Sequence, residues 1–176
     1  MRILLALILI SMNLNAEAQT SYKVYKDTTD GGQIYDGRIT FGNLDRESSF
    51  TWLKTGREEY KPDDKAMNLL QFYLRQYTMI VFMGTWCDDS HYLVPKLEKV
   101  LQVIRYPETS LTMYGVSRAK TTLGGEHKKY GIVNVPTIIL YKDNEEVGRI
   151  TETVKASVEA DLAAIIQADM AGQQGH

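Results

Sequence analysis

Residues 79–83 form an uninterrupted apolar run, Met-Ile-Val-Phe-Met, and this run constrains the fold more than any other feature. Such a segment is typical of a strand that is buried on both faces at the centre of an α/β sheet. Gly84 ends the run, and a pattern with the spacing of a one-faced helix follows. Its apolar positions are Val94, Leu97, Leu101 and Ile104. The sequence therefore predicts a buried strand that leads straight into an amphipathic helix.

The C-terminal part continues this alternation of strands and helices. Residues 111–116 predict a second buried strand, and residues 117–131 leave room for a short helix. Residues 137–141 and 147–150 flank a polar turn and predict a β-hairpin. A final helix follows Ser157, a suitable N-cap. The order β-α-β-α-β-β-α predicts an α/β fold, with a central mixed sheet and helices on both faces.

A Tyr-rich segment precedes this domain and predicts a small β-rich extension. Residues 22–25 and 34–41 are strand-like on either side of a Gly-Gly turn, and residues 50–53 predict a third strand. Residues 62–64, Pro-Asp-Asp, are typical of a helix start. The predicted parts are a signal peptide at 1–18, the N-terminal extension at 19–65, the α/β domain at 66–170 and a frayed tail at 171–176.

The first 18 residues have the features of a secretory signal peptide. Arg2 gives a positive start, residues 3–10 are apolar, and Ala16 and Ala18 are the small residues of a cleavage site. The apolar run is far shorter than the roughly 20 residues that a spanning helix needs. We therefore expect a protein secreted into the bacterial periplasm, with no membrane attachment after cleavage.

Charge and cysteine content exclude several classes of function. The formal net charge is −2, from 20 basic and 22 acidic residues, so no basic excess favours nucleic acid as a partner. Cys87 is the single cysteine, which excludes an intramolecular disulfide and any Cys₂ or Cys₄ metal site. Because exported proteins meet an oxidising environment, this lone thiol is the most informative residue in the chain.

Cys87 stands where the buried strand meets the amphipathic helix. At a helix N-terminus, free backbone N–H groups and the helix dipole favour a thiolate over a thiol. The hydroxyl of Ser90 can donate a hydrogen bond to that thiolate. Asp88 and Asp89 stabilise the first helical turn but oppose a neighbouring negative charge. We expect a moderately reactive thiol.

Four motifs in this order resemble those of the thioredoxin superfamily. Residues 86–90 (Trp-Cys-Asp-Asp-Ser) stand at the position of the family's W-C-x-x-C, and Pro95 stands at the position of its helix-kinking proline. Val135-Pro136-Thr137 matches its cis-proline loop, and Gly148 matches a glycine in its second hairpin strand. The resemblance covers residues 66–168 and implies a thioredoxin-like fold. The segment before it is similar to the N-terminal additions of secreted bacterial thioredoxin-like proteins.

The resemblance also implies roles for residues around Cys87. It implies a cis Val135–Pro136 bond in a loop that lies beside the cysteine and positions an extended substrate, and it implies that Trp86 borders the groove. The chain departs from the family at two positions. Ser90 replaces the cysteine that resolves a mixed disulfide, and Val81 replaces a buried aspartate that aids proton transfer. Serine cannot expel a bound substrate, so an outside thiol must do so.

These features together predict a monothiol thiol–disulfide exchange protein of isomerase or mixed-disulfide type. Cys87 would be the nucleophile, and Ser90 would stabilise its thiolate. The expected partners are protein or low-molecular-weight thiols and disulfides, with an external thiol or a partner reductase for recycling. No cofactor is implied. His91 could ligate a metal together with Cys87, but two ligands do not make a closed site, and we predict no metal.

Three alternatives stay open at this point. The first is a redox-inactive binding module that uses the thioredoxin fold to hold peptides or a partner protein. The second is a peroxide-sensing thiol that oxidises to a sulfenic acid. The third is a covalent homodimer through Cys87, because an odd cysteine in an exported chain can pair between molecules.

Overall fold

The structure is a computed structural model that describes residues 21–173. The signal peptide predicted at residues 1–18 lies outside the described residues, and so does the end of the predicted tail at residues 174–176. Between residues 21 and 173, no helix combines the length and the apolar character that crossing a membrane requires.

The apolar run forms an inner strand of a six-stranded mixed sheet. The strands are β1 (Tyr22–Lys26), β2 (Gln33–Ile39), β3 (Thr78–Met83), β4 (Leu111–Gly115), β5 (Thr137–Lys142) and β6 (Glu145–Thr151). Their order is β1-β2-β4-β3-β5-β6; β3 and β4 are parallel, and the other neighbouring strands are antiparallel. Val81 and Met83 are buried on one face of β3 and Phe82 on the other, which confirms the predicted central strand.

Helices cover the two faces of the sheet unequally. They are α1 (Phe41–Asp45), α2 (Thr51–Glu59), α3 (Asp64–Tyr73), α4 (Asp88–Val103), α5 (Glu126–Lys129) and α6 (Val158–Gln173). The helices α2, α3, α4 and α6 pack together over the larger core. On the opposite face, Ile132 and Val135 pack against Phe82, in a segment that follows the one-turn helix α5.

The third strand predicted at residues 50–53 is wrong, because α2 begins at Thr51. The aromatic and β-branched residues of this segment favour a strand locally, but packing against α4 overrides that preference. Leu53 is buried in the core, and Gly56 lies on the same side, against Pro95 of α4. A Cβ at Gly56 would come within 2.9 Å of the Pro95 Cβ, so this glycine allows the two helices to approach closely.

The N-terminal extension contributes two strands and two helices to the same core as the rest of the chain. Strand β2 pairs with β4, and β1 pairs with β2 at the edge of the sheet. Side chains of the extension that are buried in the larger core are Tyr35, Ile39, Leu44, Phe50 and Leu53. The extension therefore shares a sheet and a hydrophobic core with the domain that carries Cys87.

A largely buried ion pair joins α2 of the extension to α4. The Arg57 guanidinium donates to Glu98 Oε1 at 2.6 Å and to Asp45 Oδ1 at 3.1 Å. The Glu98 side chain is 4% exposed, and its Oε2 has no hydrogen-bond partner among the described residues. Burial raises the pKa of Glu98 above its ordinary value of 4.5, although Arg57 pulls in the opposite direction. Arg57 therefore compensates a buried carboxyl group at the junction of α2 and α4.

Replacing Arg57 by Ala should lower the free energy of unfolding by about 2–4 kcal/mol, because it leaves Glu98 buried without a cation. Urea unfolding followed by circular dichroism measures this loss. Lys54→Ala is the matched control on α2, since the Lys54–Glu58 pair is exposed (72% and 64%). This control should change stability by less than about 0.5 kcal/mol. Equal effects of the two substitutions would contradict the assignment.

The defect of Arg57→Ala should also depend on pH. The pKa of Glu98 is raised in the folded protein, so protonation of this carboxyl group stabilises the fold. This stabilisation is complete below pH 4.5 and is lost as the pH rises through the folded pKa. Without Arg57 that pKa rises further. The stability gap between wild type and Arg57→Ala should therefore be smaller near about pH 4 than near about pH 8. A gap that widens on acidification would show that Glu98 is not the group involved.

Candidate active site

Cys87 occupies the junction between β3 and α4. Its backbone N–H donates to Gly84 O at 3.1 Å, which closes the turn after β3, and its own carbonyl accepts from His91 N at 2.9 Å, in the first turn of α4. Cys87 is the N-cap residue in an extended conformation, but its side chain does not cap the helix. The thiol is partly exposed and free of a disulfide. The junction therefore presents Sγ at the end of the sheet.

The loop before β5 lies directly beside this thiol. Cys87 donates from Sγ to the backbone oxygen of Val135 at 3.3 Å, and the Val135–Pro136 peptide bond is cis. Val135 is buried in the smaller hydrophobic core, which surrounds Phe82 on the opposite face of the sheet. Cys87 and Trp86 are partly buried against this core. The structure thus brings together Trp86, Cys87, Val135 and Pro136, four of the five residues predicted for the site.

Ser90, the fifth predicted residue, has a different partner from the one predicted. Its side chain is fully buried, and its hydroxyl oxygen accepts from Gly84 N at 3.2 Å. Among the described residues, no hydrogen bond joins Ser90 to Cys87. The reason is geometric, because Ser90 points under the turn that follows β3 while Sγ points towards Val135. Ser90 therefore holds the turn that carries the cysteine.

Trp86 is fixed in place beside the thiol. Its ring N–H donates to Val116 O at 3.0 Å, and the Arg118 guanidinium lies 5.1 Å from its ring centroid. Gly84 makes room for this ring, since a Cβ there would approach Trp86 Cε2 to 2.8 Å. The indole is therefore a rigid border of the surface around Cys87.

His91 connects this site to the N-terminal extension. Its Nε2 lies 2.8 Å from Thr85 O, and its ring stacks on Trp52 of α2 with centroids 4.3 Å apart. The side chain is thus held by packing and by one backbone contact. For residues 21–173, no cluster of three or more His, Cys, Asp or Glu side chains is arranged to hold a metal ion.

The turn between β1 and β2 is tied to the same site by an ion-pair cluster. Arg118 donates from Nε to Asp27 at 2.6 Å and from Nη2 to Asp30 at 2.8 Å. Although burial opposes the charge of Asp27, hydrogen bonds from Thr29 and Arg118 hold its pKa below the ordinary 3.8. Sequence reasoning missed this cluster. The two aspartates beside a turn were a visible signal, but nothing in the sequence pointed to Arg118.

A second link joins the extension to the turn that carries Cys87. The Thr85 hydroxyl donates to Gln33 O at 2.7 Å and accepts from Tyr35 N at 3.2 Å. Thr85 is therefore bonded to β2 on both sides of its hydroxyl. The position of the Cys87 turn depends on the extension as well as on β3.

A cavity of about 260 Å³ opens between the extension and the start of α4. The extension contributes most of its wall, and the α4 junction contributes the rest. Its lining residues are Asp27, Asp30, Gly32, Gln33, Ser49, Phe50, Trp52, Thr85, Trp86, Asp88 and His91. Cys87 is not itself a lining residue, but Trp86 and Asp88, its two neighbours in the chain, both line the cavity.

The remaining motif residues have packing roles. Val81, which stands where thioredoxins have a buried aspartate, is fully buried in the larger core. Pro95 packs against Gly56, as described above. Gly148 lies where β6 meets α6, and a Cβ there would come within 2.7 Å of Ile165 Cγ2. No carboxyl group therefore occupies the Val81 position to move a proton beneath Cys87.

Comparison with known proteins agrees with this geometry. The thioredoxin family model matches residues 67–168. Thioredoxin-1 of Saccharomyces cerevisiae is 26% identical over 86 residues, which are 49% of this chain and 78% of that protein. Thioredoxin of Chlamydia caviae is 30% identical over 88 residues, or 48% of this chain and 78% of that protein.

Among solved structures, an HIV epitope scaffold has a TM-score of 0.56 at 14% identity. That likeness covers 74% of this chain and 93% of the scaffold, and it concerns the fold alone. The family match, by contrast, supports a thiol–disulfide redox function in general terms. The matched residues make up more than half of the chain and leave the N-terminal extension outside. They include every residue of the Cys87 site except those that the extension supplies. The chain belongs to the thioredoxin family.

Proposed function

We propose that this protein is an exported, monothiol thiol–disulfide exchange protein that acts through Cys87. The observation that carries the proposal is the placement of a single, partly exposed thiol at the N-terminus of α4, with Sγ 3.3 Å from Val135 O. Because the chain has one cysteine, no second thiol of the same molecule can take part.

The proposed reaction conserves electrons between thiols and disulfides. The Cys87 thiolate attacks one sulfur of a substrate disulfide, a new S–S bond forms as the old one breaks, and the departing thiolate takes up a proton. An external thiol, or a second thiol of the substrate, then attacks the mixed disulfide and releases Cys87 by the same exchange. This sequence allows isomerisation of disulfides and removal of mixed disulfides.

The neighbours of Cys87 have separate proposed roles. Val135 and Pro136 position the backbone of an extended substrate beside Sγ, and the fixed indole of Trp86 borders the groove. Ser90 is a positioning residue, since its buried hydroxyl holds Gly84 N and thereby the turn that carries Cys87. The proposed substrates are protein or low-molecular-weight disulfides, and a low-molecular-weight thiol or a partner reductase recycles the protein.

Two observations favour a second candidate, a binding module without redox chemistry. The cavity of about 260 Å³ beside Cys87 can hold part of a ligand without any reaction at sulfur. The chain also lacks the buried aspartate and the resolving cysteine that thioredoxins use in catalysis, since Val81 and Ser90 stand at those positions. The two candidates differ in whether partner recovery needs the thiol.

Replacing Cys87 by Ala should abolish all reductant-sensitive adducts, because the alanine variant has no sulfur that can exchange. Wild-type protein and variant are recovered after alkylation from the compartment to which they are exported. Adducts are identified on non-reducing gels and by mass spectrometry. Asp89→Ala is the matched control, since it changes an exposed residue of the same helical turn, keeps the thiol and should keep its adducts.

Two outcomes of that experiment would contradict exchange chemistry. One is a Cys87 that is free and unmodified throughout, while Cys87→Ala recovers the same partners; the binding module then becomes the better account. The other is an adduct population that consists of Cys87-linked homodimer alone, which would assign the thiol to subunit pairing.

Export itself predicts a defined mature N-terminus. The full chain, produced in a Gram-negative host, should appear in the periplasm with Gln19 as its first residue, because Ala16 and Ala18 form the cleavage site. Intact-mass measurement of the periplasmic fraction tests this. A double Ala16→Leu, Ala18→Leu variant should remain unprocessed. A wild-type chain that keeps Met1 and stays in the cytoplasm would refute export.

A further inference from the structure

We propose that the cavity beside Cys87 receives the side chain of a lysine or arginine that lies close to the reacting cysteine of a substrate polypeptide. This inference rests on the exchange function proposed above and names its substrate class. The cavity is built mainly by the N-terminal extension, outside the matched residues 67–168. The extension would thus add a selectivity site to the thioredoxin domain.

The shape and lining of the cavity fit a long aliphatic side chain. Its volume of about 260 Å³ is bounded by the aromatic residues Phe50, Trp52 and Trp86. The Trp52 ring is held by its stack on His91, and the Trp86 ring by its hydrogen bond to Val116 O. Rigid aromatic walls bury the methylene stem of lysine or arginine at little cost in ordering, while the charged end seeks polar groups.

The polar groups of the cavity carry an excess of negative charge. Asp27, Asp30 and Asp88 all line it, and Arg118 pairs with Asp27 and Asp30 together. Asp88 is fully exposed, and its Oδ1 lies 4.0 Å from His91 Nδ1. The lining therefore holds three carboxylates, of which two share the guanidinium of Arg118 and the third does not contact it, and this leaves a negative surplus.

The position of the cavity relates the bound cation to the reaction. Trp86 and Asp88, the two neighbours of Cys87 in the chain, are both lining residues. In this proposal, a substrate cysteine that is joined to Cys87 by a mixed disulfide lies close to these two lining residues. A basic residue close to that cysteine can then reach the carboxylates while the backbone follows the Val135–Pro136 loop.

The test uses three peptide disulfides that are identical except for one residue beside the cysteine: lysine, norleucine or glutamate. The rate of mixed-disulfide formation on Cys87 is measured by mass spectrometry at low and high salt. The lysine peptide should react about fivefold faster than the norleucine peptide, and the glutamate peptide more slowly than both. High salt should weaken the preference for lysine.

Matched variants separate the cavity from a general charge effect of the first turn of α4. Asp88→Asn removes a lining carboxylate and should reduce the preference for lysine by about twofold or more. Asp89→Asn removes an exposed charge from the same helical turn that does not line the cavity, and it should leave the preference unchanged. Trp52→Leu should also reduce the preference, and circular dichroism and thermal unfolding verify that this variant folds.

A second readout does not need the reaction. The two tryptophans of the chain, Trp52 and Trp86, both line the cavity. A lysine peptide in which serine replaces the cysteine should change their fluorescence in the wild-type protein and in Cys87→Ala. The norleucine peptide should change it less at the same concentration.

The outcomes distinguish this inference from the proposed function. Equal rates for all three peptides, with no fluorescence response, would overturn the cation site and leave exchange at Cys87 standing. Equal losses in Asp88→Asn and Asp89→Asn would also overturn it, since the charge of the helix turn would then explain the preference. No reaction with any peptide, together with a lysine-dependent fluorescence change, would refute exchange and keep the cation site.

Discussion

The point at which strand β3 ends sets the position of the reactive sulfur, and the rest of the site depends on this position. Packing on both faces fixes β3 between β4 and β5, so the chain leaves the core at one defined point after Met83. The turn that follows is held from below by Ser90 and from the side by Thr85. Cys87 follows this turn as the N-cap of α4, and its Sγ lies against Val135 O. A one-residue slip of β3 would separate these groups.

The N-terminal extension completes the site. Its β1–β2 turn reaches Arg118 through two aspartates, and Trp52 of α2 stacks on His91 of α4. Beneath α2, Arg57 meets the buried Glu98 of α4. The contacts of Trp52 and Arg57 anchor the extension on α4, the helix that follows Cys87. The extension therefore both supports the thiol's surroundings and forms one wall of the adjoining cavity.

Local patterns were enough to predict the parts of the fold in which each strand or helix is determined by its own residues. The apolar run of β3, the one-faced helix α4 and the closing hairpin are of this kind, and all three are confirmed. Residues 50–53 could not be predicted correctly, because a short aromatic segment fits a strand or a helix equally well. Its helical form depends on the close packing of Gly56 against Pro95, which exists only in the folded chain.

The site divides in the same way. Cys87 and the Val135–Pro136 loop were predictable because each carries a motif. The pairing of Arg118 with Asp27 joins residues 91 positions apart, and no local pattern encodes it. The partner of Ser90 was also out of reach, since a helical serine can face either the thiol or the turn. That choice follows from the turn geometry, which exists only in the folded chain.

The lifetime of a mixed disulfide on Cys87 tests the central claim most directly. Wild type and Ser90→Cys are each mixed with the same peptide disulfide, excess peptide is removed, and the adduct is followed by intact mass. The account predicts that wild type keeps the adduct until an external thiol such as glutathione is added. Ser90→Cys should expel the peptide unaided and form an internal disulfide. A wild-type protein that never forms the adduct, or that releases it unaided as fast as Ser90→Cys, would contradict the account.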